Sequence, residues 1–209
     1  MKGAKRTSGR TGPVAFRFDF EKAEAALVHL ASHPQRVPNL DKYKVGKLLF
    51  LADKYHVVRY SRPILGDYYK ALPFGPVPQT IIDVLQLVID KEPKGEFAVR
   101  LAAAIELDRS FENPHFRAKP PVNIDALSKS DLEALDLIIA RHGTKTFEEL
   151  MALTHHMAAY RKAWESRSRG RRATLMRYED FFDEDADAIA GAREEMIENY
   201  ELRIAFPGP

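Results

Sequence analysis

Residues 47–82 read KLLFLADKYHVVRYSRPILGDYYKALPFGPVPQTII, and their reading decides the fold. Leu48, Leu51, Ala52, Tyr55 and Val58 recur at three- and four-residue steps, the spacing of one apolar stripe on a helix. Lys47, Asp53, Lys54 and Arg59 fill the remaining directions, so this reads as a buried helix with one stripe facing a core. Pro63 biases Arg62 away from the α region, so the helix stops within Tyr60–Pro63 and the chain reverses. Ile64 to Leu72 is short and aromatic, bounded by Pro63 and Pro73, and suits a strand in which Gly66 marks a bulge or a close backbone approach. In Gly75-Pro76-Val77-Pro78 a permissive glycine precedes prolines tolerated in a first helical turn, so a second helix is expected to start there. Ile81, Ile82, Leu85, Val88 and Ile89 give it one broad apolar face.

Upstream, Asp19 is placed to cap a helix reaching Ser32, with Ala23, Ala26, Leu27 and Leu30 on one face and Pro34 beyond its end. His29 and His33 lie four apart, a spacing that can turn two imidazoles toward one metal. No third ligand is near in sequence, so the ordinary role of histidine near a helix C-terminus is preferred and no metal is expected. A loop over Gln35–Leu40 leads to the central helix near Asp41. Residues Met1 to Ala15 are basic and lack apolar periodicity, which reads as a mobile tail; a nucleic-acid arm is the alternative.

Downstream, Glu92-Pro93-Lys94-Gly95 breaks the pattern. Glu96 to Leu107 is ambiguous: Leu101 to Ala104 favours helix, while Phe97, Val99 and Leu101 alternate as in a strand, and helix is taken. His115 to Ala118 reads as an edge strand able to pair with Ile64–Leu72. Ser128, or alternatively Ser130 with Glu133, caps a helix reaching His142, ended at Gly143; Thr146 with Glu149 opens another. A last helix is expected over about Glu184–Leu202, burying Ile189, Met196, Ile197 and Tyr200. The fold class is therefore α+β and mainly α-helical: one domain over residues 16–209 with a small two- or three-stranded antiparallel sheet.

Composition narrows the function classes. The chain has 209 residues, 45% hydrophobic and 30% charged, which suits one folded domain and excludes a disordered protein. With no cysteine there is no disulfide framework, thiolate zinc site or cysteine nucleophile, as a reducing compartment would allow. The N-terminal Lys2, Lys5, Arg6 and Arg10 precede no apolar core, and no segment nears a membrane span, so a cytoplasmic protein is expected. A net charge of +2 does not by itself imply nucleic acid.

No constellation of reactive groups stands out, and no cofactor is implied. Thr154-His155-His156 is the best candidate for acid–base work, but adjacent helical residues point about 100° apart, so a structural or partner-contacting histidine is the better reading and the protein is expected not to be an enzyme. Phosphate-cradling GxxxxGK[ST] and GxGxxG motifs are absent. The helices flanking Gly143-Thr144-Lys145 have helix-turn-helix spacing, yet Met151, Ala152 and Leu153 are poor readers of bases, so nucleic acid is an unlikely partner. Arg161, Lys162, Arg167, Arg169, Arg171, Arg172 and Arg177 precede Glu179, Asp180, Asp183, Glu184, Asp185 and Asp187. The simpler reading is that these charges meet each other, with Asp183 to Asp187 at the start of the last helix; the sharper one makes the arginines a docking surface for an acidic partner or RNA.

Tyr60, Arg62, Pro63, Ile64, Gly66, Asp67, Tyr69, Ala71 and the Gly75-Pro76-Val77-Pro78 block together resemble the signature of the Panacea (SocA-like antitoxin) domain family. Leu127-Ser128, Ser130-Asp131-Leu132, Thr154-His155 and Ala163-Trp164 follow in the order such proteins show. The resemblance runs from about Asp41 to Trp164. It implies a bacterial or phage antitoxin of a type II toxin–antitoxin system that neutralises a cognate protein toxin by direct binding. The alternatives are an adaptor presenting a toxin to a protease and a DNA-binding regulator. Tyr68, Tyr69, Lys70 and Phe74 are the expected partner-binding residues, with Arg167 and Arg169 next. Strand alternation lets at most one of the two tyrosines serve the core fully, leaving the other for a partner, although both could pack internally. Trp164, after Tyr160 and Ala163, is expected to anchor its helix to the core.

Overall fold

A computed structural model describes residues 12–206. The expected N-terminal tail lies mostly outside the described residues, but Val14 is already buried and its N–H donates to Glu179 Oε1 at 3.2 Å. Helix α1 (Phe20–Ala31) starts where Asp19 accepts the Lys22 N–H, as its capping position dictates. Asp41 does the same for helix α2 (Lys42–Tyr60), accepting from Lys44 N at 2.8 Å.

Helix α2 is the axis of the molecule. Helices from both halves of the chain pack around it, so it is buried on nearly every side. This corrects the one-stripe expectation: Lys47, Asp53 and Lys54 are buried with the leucines. A charge survives inside only with partners. Lys47 Nζ donates to the Pro76 carbonyl at 2.9 Å, and Lys54 is paired with Asp185. Asp53 Oδ1 accepts from the N–H groups of Ile64 and Leu65 at 2.8 and 3.0 Å, and Oδ2 accepts the Tyr69 hydroxyl at 2.8 Å.

Those bonds hold residues 61–68 as an ordered loop, and the strand β1 (Tyr69–Leu72) is shorter than the expected Ile64–Leu72. Gly66 sits at φ +68°, where a Cβ would lie 2.4 Å from the Arg17 carbonyl oxygen, so the close backbone approach read from the sequence is real. Gly75-Pro76-Val77-Pro78 is not a helix start but a strand, β2 (Gly75–Pro78), antiparallel to β1 across the two-residue turn Pro73-Phe74. Pro76 and Pro78 face Ala71 and Tyr69 in the register. Having no N–H, they fit only an edge strand at positions that owe β1 no donor, and β2 is an edge. Helix α3 (Gln79–Ile89) begins one residue after the block. Pro78 cannot cap it, so Asp67 does so from across the hairpin, its carboxylate accepting the N–H groups of Thr80 and Ile81, each at 3.0 Å.

The helix taken for the next segment is α4 (Glu96–Ala104), which holds Phe97, Val99 and Leu101; a strand the alternation did not mark, β3 (Ile105–Asp108), follows it. The strand β4 (His115–Ala118) pairs with β3, not with the segment at 64–72, as a second two-stranded sheet. Helix α5 (Lys129–His142) is capped by Ser128 rather than Ser130, with Asp131 completing the capping box, and α6 (Phe147–His155) is capped by Thr146 with Glu149. Helix α7 (Ala158–Ser166) follows directly. Strand β5 (Thr174–Leu175) pairs with the far side of β1, giving the order β2-β1-β5, and a 3-10 turn spans Tyr178–Phe182. Phe181 packs edge-on against Phe50 of α2 and Tyr69 of β1, with ring centroids 5.5 and 5.7 Å apart. Edge-to-face pairs of this kind contribute about 0.5–1.5 kcal/mol each beyond their buried area.

The last helix, α8 (Ala192–Ala205), begins later than expected; Met196 is buried, Ile197 and Tyr200 half-buried, and Ile189 lies outside it, exposed. Asp183 to Asp187 are therefore not its first turn. They bind cations instead: Asp183 pairs with Lys162 and Arg193, and Asp187 with Arg141.

Candidate partner-binding surface

The β1–β2 hairpin is fastened from below by three buried polar groups. Lys47 lies under β2, near Gly75: a Cβ on that glycine would meet Thr154 Oγ1 at 2.9 Å and Lys47 Nζ at 3.0 Å. Gly75 also has φ +102°, so the turn into β2 requires glycine twice over. Burial lowers the Lys47 pKa to about 7 from its ordinary 10.5, with no carboxylate beside it to restore the charge. Asp53 is pushed up to about 6 by burial, against the opposing pull of the Leu65 N–H and the Tyr69 hydroxyl. Burial raises Asp67 as well, and the opposing hydrogen bonds from Thr80, Ile81 and Tyr68 do not cancel it. On the α2–α5 side, burial would raise Asp131 too, but hydrogen bonds from His56, Lys22 and Ser128 outweigh it and hold this carboxyl far below the usual range.

Strand alternation sorts the expected contact residues. Tyr69 is 1% exposed and belongs to the core. Its assignment to partner binding is corrected on this ground: its ring packs against Phe50 and Phe181 while its hydroxyl satisfies Asp53. Tyr68 is 46% exposed, and the Lys70 ammonium lies 5.5 Å from its ring centroid. The register sets Lys70 beside Val77 on β2 and Leu175 on β5, so these residues share the outward face of the sheet. Phe74, at the tip, is 61% exposed.

Two residues assigned to no contact surface by the sequence extend this one. Phe147, in the first turn of α6, lies 6.4 Å from the Phe74 ring, and exposed Tyr43 lies 5.7 Å from Phe147. Phe147 reads in sequence as a core position of its helix. Its place immediately after the Thr146 cap is the signal that it sits at an end, where burial is incomplete. On the other flank the Tyr160 hydroxyl donates to the Leu72 carbonyl at 2.8 Å, and the His155 and Trp164 rings both stack with Tyr160, at 4.5 and 6.0 Å. Trp164 is half-buried against the core, and the Arg167 guanidinium covers it at 3.6 Å. Arg169 is exposed beyond α7.

The arginine-rich segment divides. Arg161, Lys162 and Arg177 meet carboxylates, as the simpler reading expects. Among the described residues, Arg167, Arg169, Arg171 and Arg172 form no ion pair. Thr154 is fully buried and donates to the Leu150 carbonyl at 2.9 Å, while His155 Nε2 is buried without a partner and its pKa is lowered by burial and by Lys47.

The chain is thus a mainly helical α+β body that carries an aromatic hairpin. Residues 45–161 match the family described as antitoxin SocA-like, Panacea domain, and the chain belongs to that family. No curated protein and no solved structure matches the chain. Among the described residues, no helix is long and apolar enough to cross a membrane.

Proposed function

We propose that this protein is the antitoxin of a type II toxin–antitoxin pair, that it neutralises a protein toxin by direct binding, and that it does so without catalysis. The family supports the antitoxin role. The observation that carries the location is Phe74: a large apolar side chain, 61% exposed, held at the end of a hairpin that buried Lys47, Asp53 and Asp67 fasten from below. Exposed aromatic groups on a rigid support lose little entropy on binding, and such groups commonly dominate protein interfaces. Tyr68 and Lys70 on the sheet face, with Tyr43 and Phe147 beside the tip, extend the apolar contact. Arg167, which lies over Trp164 beside Tyr160, and the exposed Arg169 that follows it add charge suited to carboxylates on the partner.

The binding reading is favoured over catalysis because the Thr154 hydroxyl, the nearest candidate nucleophile, already donates to the Leu150 carbonyl. It is favoured over DNA recognition because the first turn of α6 carries Glu148 and Glu149, which repel phosphate. The test is co-expression with the gene that lies beside this one. Growth arrest by that gene alone, relieved by this protein, supports the reading. A neighbour that is harmless when expressed alone contradicts it.

A further inference from the structure

The end of α1 brings two imidazoles to one carboxylate. His29 lies in the last turn of α1, and His33 follows four residues later, just past the cap residue Ser32. The sequence shows no third ligand near them; the fold supplies one from 107 positions along the chain, Asp136 of α5. His29 Nε2 is 2.8 Å from Asp136 Oδ1, and the two imidazole rings are 4.9 Å apart. One ligand atom from each of the three residues lies within 4.8 Å of the other two.

We propose that His29, His33 and Asp136 form a binding site for a divalent first-row transition ion, with zinc as its natural probe. Two imidazoles and a carboxylate suit zinc and its neighbours, whereas magnesium and calcium call for oxygen ligands throughout. Ligand atoms about 2.0–2.2 Å from a tetrahedral ion stand roughly 3.3–3.5 Å from one another. The His29–Asp136 pair, at 2.8 Å, stands closer than that and would open slightly around an ion, and all three ligand atoms already lie within 4.8 Å of one another. His29 is held in place by burial, and the Asp136 side chain, 54% exposed, has room to rotate outward and admit the ion. Its exposure also leaves water to complete the coordination. The ion would tie the end of α1 to α5, two helices that both pack on α2.

The rival role is a plain hydrogen bond between His29 and Asp136 that staples the helices, with His33 nearby through sequence alone. Untagged protein freed of metal by EDTA and titrated with zinc distinguishes them. One equivalent is expected to bind, and a hundredfold excess over Kd should raise the unfolding midpoint by about 5 °C, reversed by EDTA. His33 takes no part in the hydrogen bond, so His33→Ala should leave the metal-free midpoint near that of the parent while weakening zinc at least tenfold. Failure of the parent to bind zinc at about 100 µM overturns the proposal, as does equal zinc affinity in His33→Ala.

Discussion

Lys47 donates to the Pro76 carbonyl at 2.9 Å, and its ammonium stands 3.0 Å from where a side chain on Gly75 would begin. The central helix and the hairpin are therefore in contact beside a residue that has no room for a side chain. Gly75→Val should lower stability by about 2 kcal/mol or more, through strain at positive φ and displacement of Lys47 and Thr154. Thermal or denaturant unfolding measures it, and an unchanged midpoint would contradict the geometry.

Lys47 also gives the fold a pH dependence of definite sign. Its pKa in the folded protein is about 7 against 10.5 ordinarily, so between those values the unfolded chain holds more protons and stability rises with pH. The contribution between pH 7 and 9 is about 2 kcal/mol. Asp53 acts in the opposite sense at lower pH: raised to about 6 from 3.8, it costs stability as pH rises through that window. Lys47→Met should flatten the unfolding profile between pH 7 and 9 relative to the parent. Parallel profiles would mean that the lysine is solvated.

Tyr68 and Tyr69 are neighbours with opposite consequences. Tyr69→Phe strands a buried oxygen of Asp53 and should destabilise by about 1–3 kcal/mol. Tyr68→Ala removes a side chain that faces water and should change stability by no more than about 0.5 kcal/mol. Equal losses in the two variants would show that the outward assignment of Tyr68 is wrong.

The features legible in the sequence were local ones. Asp19, Thr146 with Glu149, and the choice that included Ser128 each mark a real helix start, because a cap needs only a side chain and the N–H groups that follow it. Gly66 and Gly75 both have positive φ, as turn chemistry implied. Long-range pairing was not legible. Nothing within His115–Ala118 says that its partner is Ile105–Asp108. The proline-rich block suits an edge strand as well as a helix start, and only its neighbour β1 decides. Helix α2 misled for a related reason: periodicity counts apolar residues, whereas Asp53 and Lys47 are buried because backbone groups distant in sequence come to meet them. The candidate surface was half legible. Alternation separated Tyr68 from Tyr69, but the approach of Phe147 to Phe74, and of Tyr43 to Phe147, depends on how α6 and α2 pack.

The most direct test of the binding surface is the affinity of purified toxin for the parent and for Phe74→Ala, read beside the unfolding midpoint of each. Phe74 is 61% exposed, so the variant should melt within a degree or two of the parent. Its affinity for the toxin should fall at least tenfold, a loss of about 1.4 kcal/mol or more. Undiminished affinity in Phe74→Ala, with the fold intact, would place the contact elsewhere and contradict the account.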